Sequence, residues 1–352
     1  MKGKMAYQIK PLQVEVREYD LESDLQDGSI LLKVLQTNVC GSELHIFKGD
    51  HPLKQTGKMG HEMVGQVVQI GANVKTDSAG NKLELGDRVV PVYFATCNKC
   101  RECLNGNHHH CEHNFKYDVG TFASHYEVHH DQYFFKVPDT VTNQEAASAN
   151  CALSQVLFGL DKVDIKPGDS LVIQGAGGLG LNACAVAKEK GAYVIVIDTV
   201  PSRLAAAESF GADVTINITE YNTVEKRMYR VQELTGGIGA DYVLEVSGVP
   251  EAFSEGIHLA KTNGIYVTMG NITVGKKVEI DPGLLVRKAL QIIPVNRYNP
   301  EYLFKALQFL ERNAKKYPFE QLLDASFTLE EVEVALQKSL QREVTRATII
   351  MD

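Results

Sequence analysis

The sequence predicts an α/β protein in which a doubly wound parallel sheet is joined to a mostly β unit. Three observations carry this. From residue 170 to about 295, six short apolar runs alternate with helical stretches, the pattern of a parallel sheet covered by helices on both faces. The first of these runs enters a glycine-rich turn that opens an alanine-rich helix. Residues 1 to about 150 read instead as short strands broken by Gly, Asp, Asn and Pro, as in an irregular β unit.

Taken in order, the first unit offers strands at 30–35, 64–70 and 88–92. The character changes near residue 151, and the six runs of the sheet fall at 171–174, 193–197, 213–216, 242–246, 265–269 and 291–295. After Pro294 a helical period covers 300–312, and 346–351 has the alternation of a final strand. The domains expected are therefore 1–150 with 296–352, and 151–295.

With 352 residues the chain is long enough for two hydrophobic cores. Hydrophobic residues make up 44% and charged residues 23%, ordinary for a globular protein. The formal net charge of -8 disfavours nucleic acid and anionic membranes as partners. No apolar run approaches the ~18 residues of a membrane span, and the first residues have charges but no continuous apolar stretch, unlike a secretory signal. The expectation is a cytoplasmic protein whose seven cysteines are reduced, so that they bind metal or do chemistry rather than form disulfides.

The glycine turn is the first chemical signal. The run at 171–174 leads into Gly175, Gly177 and Gly180, and Gly178 and Leu179 complete the start of the helix. The first glycine permits the tight turn, the second lets the backbone approach a pyrophosphate, and the third allows close helix–strand packing. The phosphates then meet free N–H groups at a helix N-terminus. Asp198 ends the next strand, 23 residues after Gly175, where a carboxylate accepts hydrogen bonds from the adenosine ribose and repels a 2′-phosphate. NAD is therefore expected over NADP. Arg203, just beyond Asp198, could instead stack on adenine or hold a phosphate.

Two groups of metal-ligand residues follow. Cys97, Cys100, Cys103 and Cys111 have the spacing C-x2-C-x2-C-x7-C, which suits one closed, tetrahedral structural zinc site. An iron–sulfur cluster or a redox pair is the alternative, and the intervening residues favour neither. His108, His109, His110 and His113 lie among these cysteines and are read as mostly exposed loop residues. The second group is dispersed: Cys40, His61 and Cys151 supply two thiolates and an imidazole, three protein ligands that leave a fourth position for chemistry. Glu62 is a carboxylate behind these ligands or an occasional ligand itself, and the former is preferred.

Together these pieces resemble the zinc-containing medium-chain dehydrogenase/reductase family, which includes alcohol, sorbitol and threonine dehydrogenases. The resemblance covers nearly the whole chain: the zinc signature at 60–74, the GDRV tetrad at 86–89, the four-cysteine segment and the cofactor glycines stand in the family's order. It implies a GroES-like catalytic domain joined by the C-terminal tail, a Rossmann NAD-binding domain, two zinc ions per chain, and a homodimer or homotetramer acting on a small alcohol or its carbonyl. Matched by position, Cys40, His61 and Cys151 look like the catalytic zinc ligands. Ser42 looks like the hydroxyl that touches the substrate oxygen, and His45 like the outer end of a proton relay. Tyr93 matches a pocket wall, and Arg346 an arginine that contacts cofactor phosphates. Two departures stand out. Position 43 is Glu where the family usually has Asp, which is expected to move the groups around His61. The stretch 111–126 is short, which is expected to open or reshape the substrate pocket.

Rival readings are an NADP-linked enzyme, a carbonyl reductase of the same architecture, and a binding module without turnover. The last has no need of Cys40, Ser42, His45, His61 and Cys151 together.

Overall fold

The apolar runs between residues 155 and 296 pair as one six-stranded, wholly parallel sheet. The computed structural model describes residues 2–21, 24–50, 54–114, 116–118, 120–272 and 274–351. Its chain divides into two compact units, 1–154 with 297–352, and 155–296.

In the second unit the strand order is Val214–Asn217, Tyr193–Asp198, Ser170–Gln174, Ala240–Glu245, Ala260–Thr268 and Gln291–Pro294. The central strands are apolar at nearly every position because both faces are covered: Ser170–Gln174 is buried throughout. Val172, Ile195 and Val243 lie side by side across the sheet and share a core with Val231, Ile257 and Tyr266. The strand expected at 265–269 begins earlier, at Ala260. Its polar start hid it, yet Ala260 pairs with Ala240 and Lys261 forms an ion pair with Asp241.

In the first unit a seven-stranded sheet runs Ala325–Phe327, Ala347–Ile350, Ile30–Asn38, Glu62–Ile70, Arg88–Pro91 and Phe134–Lys136, with His125–Val128 also paired to Ile30–Asn38. The C-terminal strand pairs antiparallel with the N-terminal segment, Thr348 opposite Asn38, which makes this unit discontinuous in sequence. Ile30, Leu32, Val34, Met63, Val67 and Val89 form one core, and Phe47, Phe122, Leu336 and Ile349 belong to a second. The unit boundaries fall after 154 and 296, not after 150 and 295. Residues Ala149–Leu153 form a π-helical turn packed on the strands Glu62–Ile70 and Arg88–Pro91 and on the helix Glu301–Asn313, so Cys151 belongs to the first unit. Among the described residues no helix is long and apolar enough to cross a membrane.

Candidate metal and cofactor sites

Strand pairing assembles the dispersed cysteines and histidine. Asn38 and Glu62 are opposite each other where the strands Ile30–Asn38 and Glu62–Ile70 meet, so Cys40 and His61, just outside that pairing, become neighbours. Gly60 makes the approach possible: its φ is +87°, and a Cβ there would lie 2.6 Å from Phe122 and Thr121. The π-helical turn brings Cys151, and Asn150 anchors that turn by donating to the carbonyls of His61 at 2.9 Å and Pro91 at 3.0 Å.

The donor atoms of Cys40, His61, Glu62 and Cys151 all lie within 4.8 Å of one another. The two sulfurs are 3.7 Å apart, and His61 Nε2 is 3.3 Å from Cys151 Sγ. Two sulfurs on one tetrahedral zinc, each at about 2.3 Å, stand about 3.8 Å apart, whereas a disulfide needs about 2 Å. The spacing fits the metal. A hydrogen bond from Cys151 holds the Cys40 thiol well below its usual range, helped by His61, and the same bond and burial push Cys151 well above. Two such sulfurs would lose their protons to a divalent cation bound between them. Burial would lower His61, but Glu43 and Cys40 outweigh it and hold the imidazole well above its usual range.

Glu43 is buried (1% exposed). One carboxylate oxygen meets His61 Nδ1 and the other accepts from the Cys40 N–H at 3.0 Å. The longer side chain therefore still orients His61 and fixes which ring nitrogen faces the metal. Glu62 stands behind the ligands. Both its oxygens accept from Arg346 Nη2, and burial pushes its carboxyl up to about 8 even with Arg346 beside it. Arg346 pairs with Glu62 through Nη2, because the last strand carries it into the first unit's core. Among the described residues its buried Nη1 has no hydrogen-bond partner.

Ser42 and His45 lie one turn apart on the helix Gly41–Lys48, which Cys40 opens. His45 Nδ1 hydrogen-bonds Asp50 Oδ1 at 2.9 Å, leaving Nε2 as the ring's other proton site. The Tyr93 ring is tilted against His61 with centroids 4.9 Å apart, and its other neighbours are Phe94 and Tyr298. Of the short segment 111–126, Phe115 and Val119 lie outside the described residues.

Cys97, Cys100, Cys103 and Cys111 also bring their sulfurs within 4.8 Å of one another. Main-chain amides turn toward them: the N–H groups of Cys97 and His113 donate to Cys111 Sγ at 3.3 and 3.4 Å, and that of Cys100 to Cys97 Sγ at 3.2 Å. Such donors favour thiolates, and four of them suit one closed zinc site. His110 and His113 are exposed, but His109 is buried, against the expectation for this loop. Its Nδ1 hydrogen-bonds Asn299 Oδ1 at 2.8 Å.

In the second unit, Gly175 has φ +108°, and a Cβ there would lie 2.9 Å from Ser247 Cα. A Cβ on Gly180 would overlap the Gly175 carbonyl. Gly177 faces open space, the cradle a pyrophosphate would fill, and the helix Gly178–Glu189 begins beside it with Gly178 and Leu179 half-exposed. Asp198 accepts from the N–H groups of Ala176 at 2.7 Å and Val200 at 2.9 Å. It therefore ties the glycine turn to the end of its own strand. Arg203 is half-exposed on the helix Pro201–Ser209.

The alcohol dehydrogenase GroES-like domain model matches residues 26–139, and the zinc-binding dehydrogenase model matches 178–312. The chain is 32% identical to 5-exo-hydroxycamphor dehydrogenase of Pseudomonas putida over 349 residues, 95% of each chain. The chain belongs to the zinc-dependent medium-chain dehydrogenase/reductase family. It is also 34% identical to L-threonine 3-dehydrogenase of Pyrococcus horikoshii over 304 residues, 83% of this chain and 80% of the relative. An alcohol dehydrogenase structure from Thermotoga maritima superposes with a TM-score of 0.93 at 29% identity, covering 100% of both chains. This family member is an NAD(P)-dependent zinc alcohol dehydrogenase, with a GroES-like unit and a Rossmann unit.

Sequence reasoning missed several residues around the metal cluster. Tyr298, fully buried, donates its hydroxyl to the Asn150 carbonyl beside Cys151. Neither residue belongs to a motif, and their roles come only from packing. Glu43 was marked as a departure, but its contact with His61 needed the helix geometry.

Proposed function

We propose that this enzyme oxidises a small primary or secondary alcohol, or a polyol, to its carbonyl with NAD, through a zinc held by Cys40, His61 and Cys151. The observation that carries this is the donor set itself: two thiolate sulfurs 3.7 Å apart and one imidazole, which leaves a tetrahedral zinc one position for substrate. Bound there, zinc supplies Lewis acidity that makes an alcohol hydroxyl acidic near neutral pH, and the nicotinamide supplies the hydride acceptor. Ser42 Oγ would accept the hydroxyl proton as it gives up its own, and His45 would deliver a proton to solvent through Nε2, its ring held by Asp50. Tyr93 forms an aromatic wall beside His61. Glu62 and Arg346 support the cluster from behind, and Cys97, Cys100, Cys103 and Cys111 hold a second, structural zinc. The NAD preference rests on Asp198, and the enzyme works as a cytoplasmic homodimer or homotetramer.

The test is an alcohol panel followed by NADH absorbance, run with two variants and elemental analysis. Cys151→Ala should lose one zinc per chain and most activity, whereas Cys184→Ala should keep both. Cys184 is buried in the helix Gly178–Glu189, where burial pushes its thiol far above the usual range. Retention of both zinc ions by Cys151→Ala would overturn the ligand assignment.

A further inference from the structure

A parallel sheet binds its ligand outside the carboxyl ends of its strands, where the strand order reverses. Here that point lies between Ser170–Gln174 and Ala240–Glu245. Gln174 and Glu245, the last residues of those strands, are paired across it. The glycine turn follows Gln174, so the phosphate cradle and Asp198 belong to the adenosine half of the sheet. The strand ending at Glu245 opens the other half.

Glu245 is fully buried (0% exposed) and joins no ion pair among the described residues. Burying a carboxylate is costly unless donors satisfy it, and five converge on this one. Oε1 accepts from the Ser247 N–H at 2.9 Å, the Ser247 hydroxyl at 3.0 Å and the Gly248 N–H at 2.8 Å. Oε2 accepts from the Thr268 hydroxyl at 3.0 Å and the Gly270 N–H at 3.3 Å. The donors come from two loops, one after Ala240–Glu245 and one after Ala260–Thr268. Glycines let these loops touch: a Cβ on Gly270 would lie 2.7 Å from Glu245 Oε1, and one on Gly248 would lie 3.1 Å from the Gly270 carbonyl. The first loop also abuts the glycine turn through Ser247. One carboxylate therefore locks two loop segments at the carboxyl edge of the sheet, and the first of them lies against the glycine turn.

We propose that Glu245 is a positioning residue for the nicotinamide half of the bound dinucleotide, fixing the two loops on which that half rests. The inference rests on the dinucleotide reading of the glycine turn. Glu245→Gln preserves the shape but replaces one acceptor oxygen by an NH2 group. At Oε1 that group faces the Ser247 and Gly248 amides, which can only donate. At Oε2 it needs the Thr268 hydroxyl to reverse and leaves the Gly270 N–H only its 3.2 Å bond to the Glu245 carbonyl.

The experiment titrates zinc-loaded parent and variant with NADH by fluorescence and with AMP, which carries only the adenosine half, and records Tm beside them. Glu245→Gln should weaken NADH binding about tenfold while AMP binding stays within about twofold. Thr268→Val, which removes one donor and keeps the carboxylate, should shift NADH in the same direction by less. If Glu245→Gln does not fold, Thr268→Val and Ser247→Ala carry the same comparison. Equal weakening of NADH and AMP, or unchanged NADH binding, overturns the proposal. A parent enzyme that binds neither probe overturns the dinucleotide reading itself.

Discussion

At Asp198 a single carboxylate is expected to serve two tasks. Its oxygens accept from the amides of Ala176 and Val200, so the side chain that should discriminate between cofactors also holds the glycine turn. NAD should show a higher kcat/KM than NADP. Asp198→Gly should narrow that gap by about tenfold through loss of a ribose acceptor and a repulsive charge. It should also lower Tm, because two amides lose their acceptor. Parallel kinetics with both cofactors check this, and a parent enzyme that prefers NADP would sink the assignment. The residue types at Cys40, His61 and Cys151 were legible because the family spaces them recognisably. Arg346 was legible as a position but not as a partner: its pairing with Glu62 joins residues at opposite ends of the chain.

Among the elements, the helix Pro250–Leu259 ends at a residue that sequence reasoning did not single out. Its last carbonyls lack intrahelical partners, and Lys288 Nζ donates to those of Ile257 and His258 at 2.9 Å each and to that of Ala260. A cation at a helix C-terminus also complements the dipole. Lys288→Met should therefore destabilise the second unit by about 1–2 kcal/mol, a fall in Tm of a few degrees that calorimetry would detect. An unchanged Tm would show that water serves those carbonyls equally well. The alternation of apolar runs marks the central parallel strands because they are buried on both faces, whereas the edge strands Val214–Asn217 and Gln291–Pro294 are only half-buried and show through their apolar residues alone. Strand starts made of polar residues, as at Ala260, carry no such signal. The three-stranded sheet of Lys2–Lys10, Gln13–Asp20 and Gly57–Lys58 carries little signal beyond the partial alternation of its first strand. Its third member is two residues long.

For the whole molecule, two donor clusters of different completeness imply two zinc ions with different lability. Mild chelation should remove the ion at Cys40, His61 and Cys151 first, abolishing activity while circular dichroism stays unchanged. A single zinc in fully active, freshly purified protein, measured by elemental analysis, would rule this out. The two donor clusters are nonetheless linked through hydrogen bonds within the first unit. Asn299 grips the cysteine lobe at two points, accepting from His109 Nδ1 at 2.8 Å and donating to the Gly106 carbonyl at 2.6 Å. The preceding residue, Tyr298, holds the carbonyl of Asn150, next to Cys151. Residues 298 and 299 thus act as a strut between a solvent-facing metal lobe and the ligand turn of the inner site. Oxidative damage to the lobe would slacken that strut and loosen the grip on Cys151 without any oxidant reaching it, so the enzyme would fail from the outside inward.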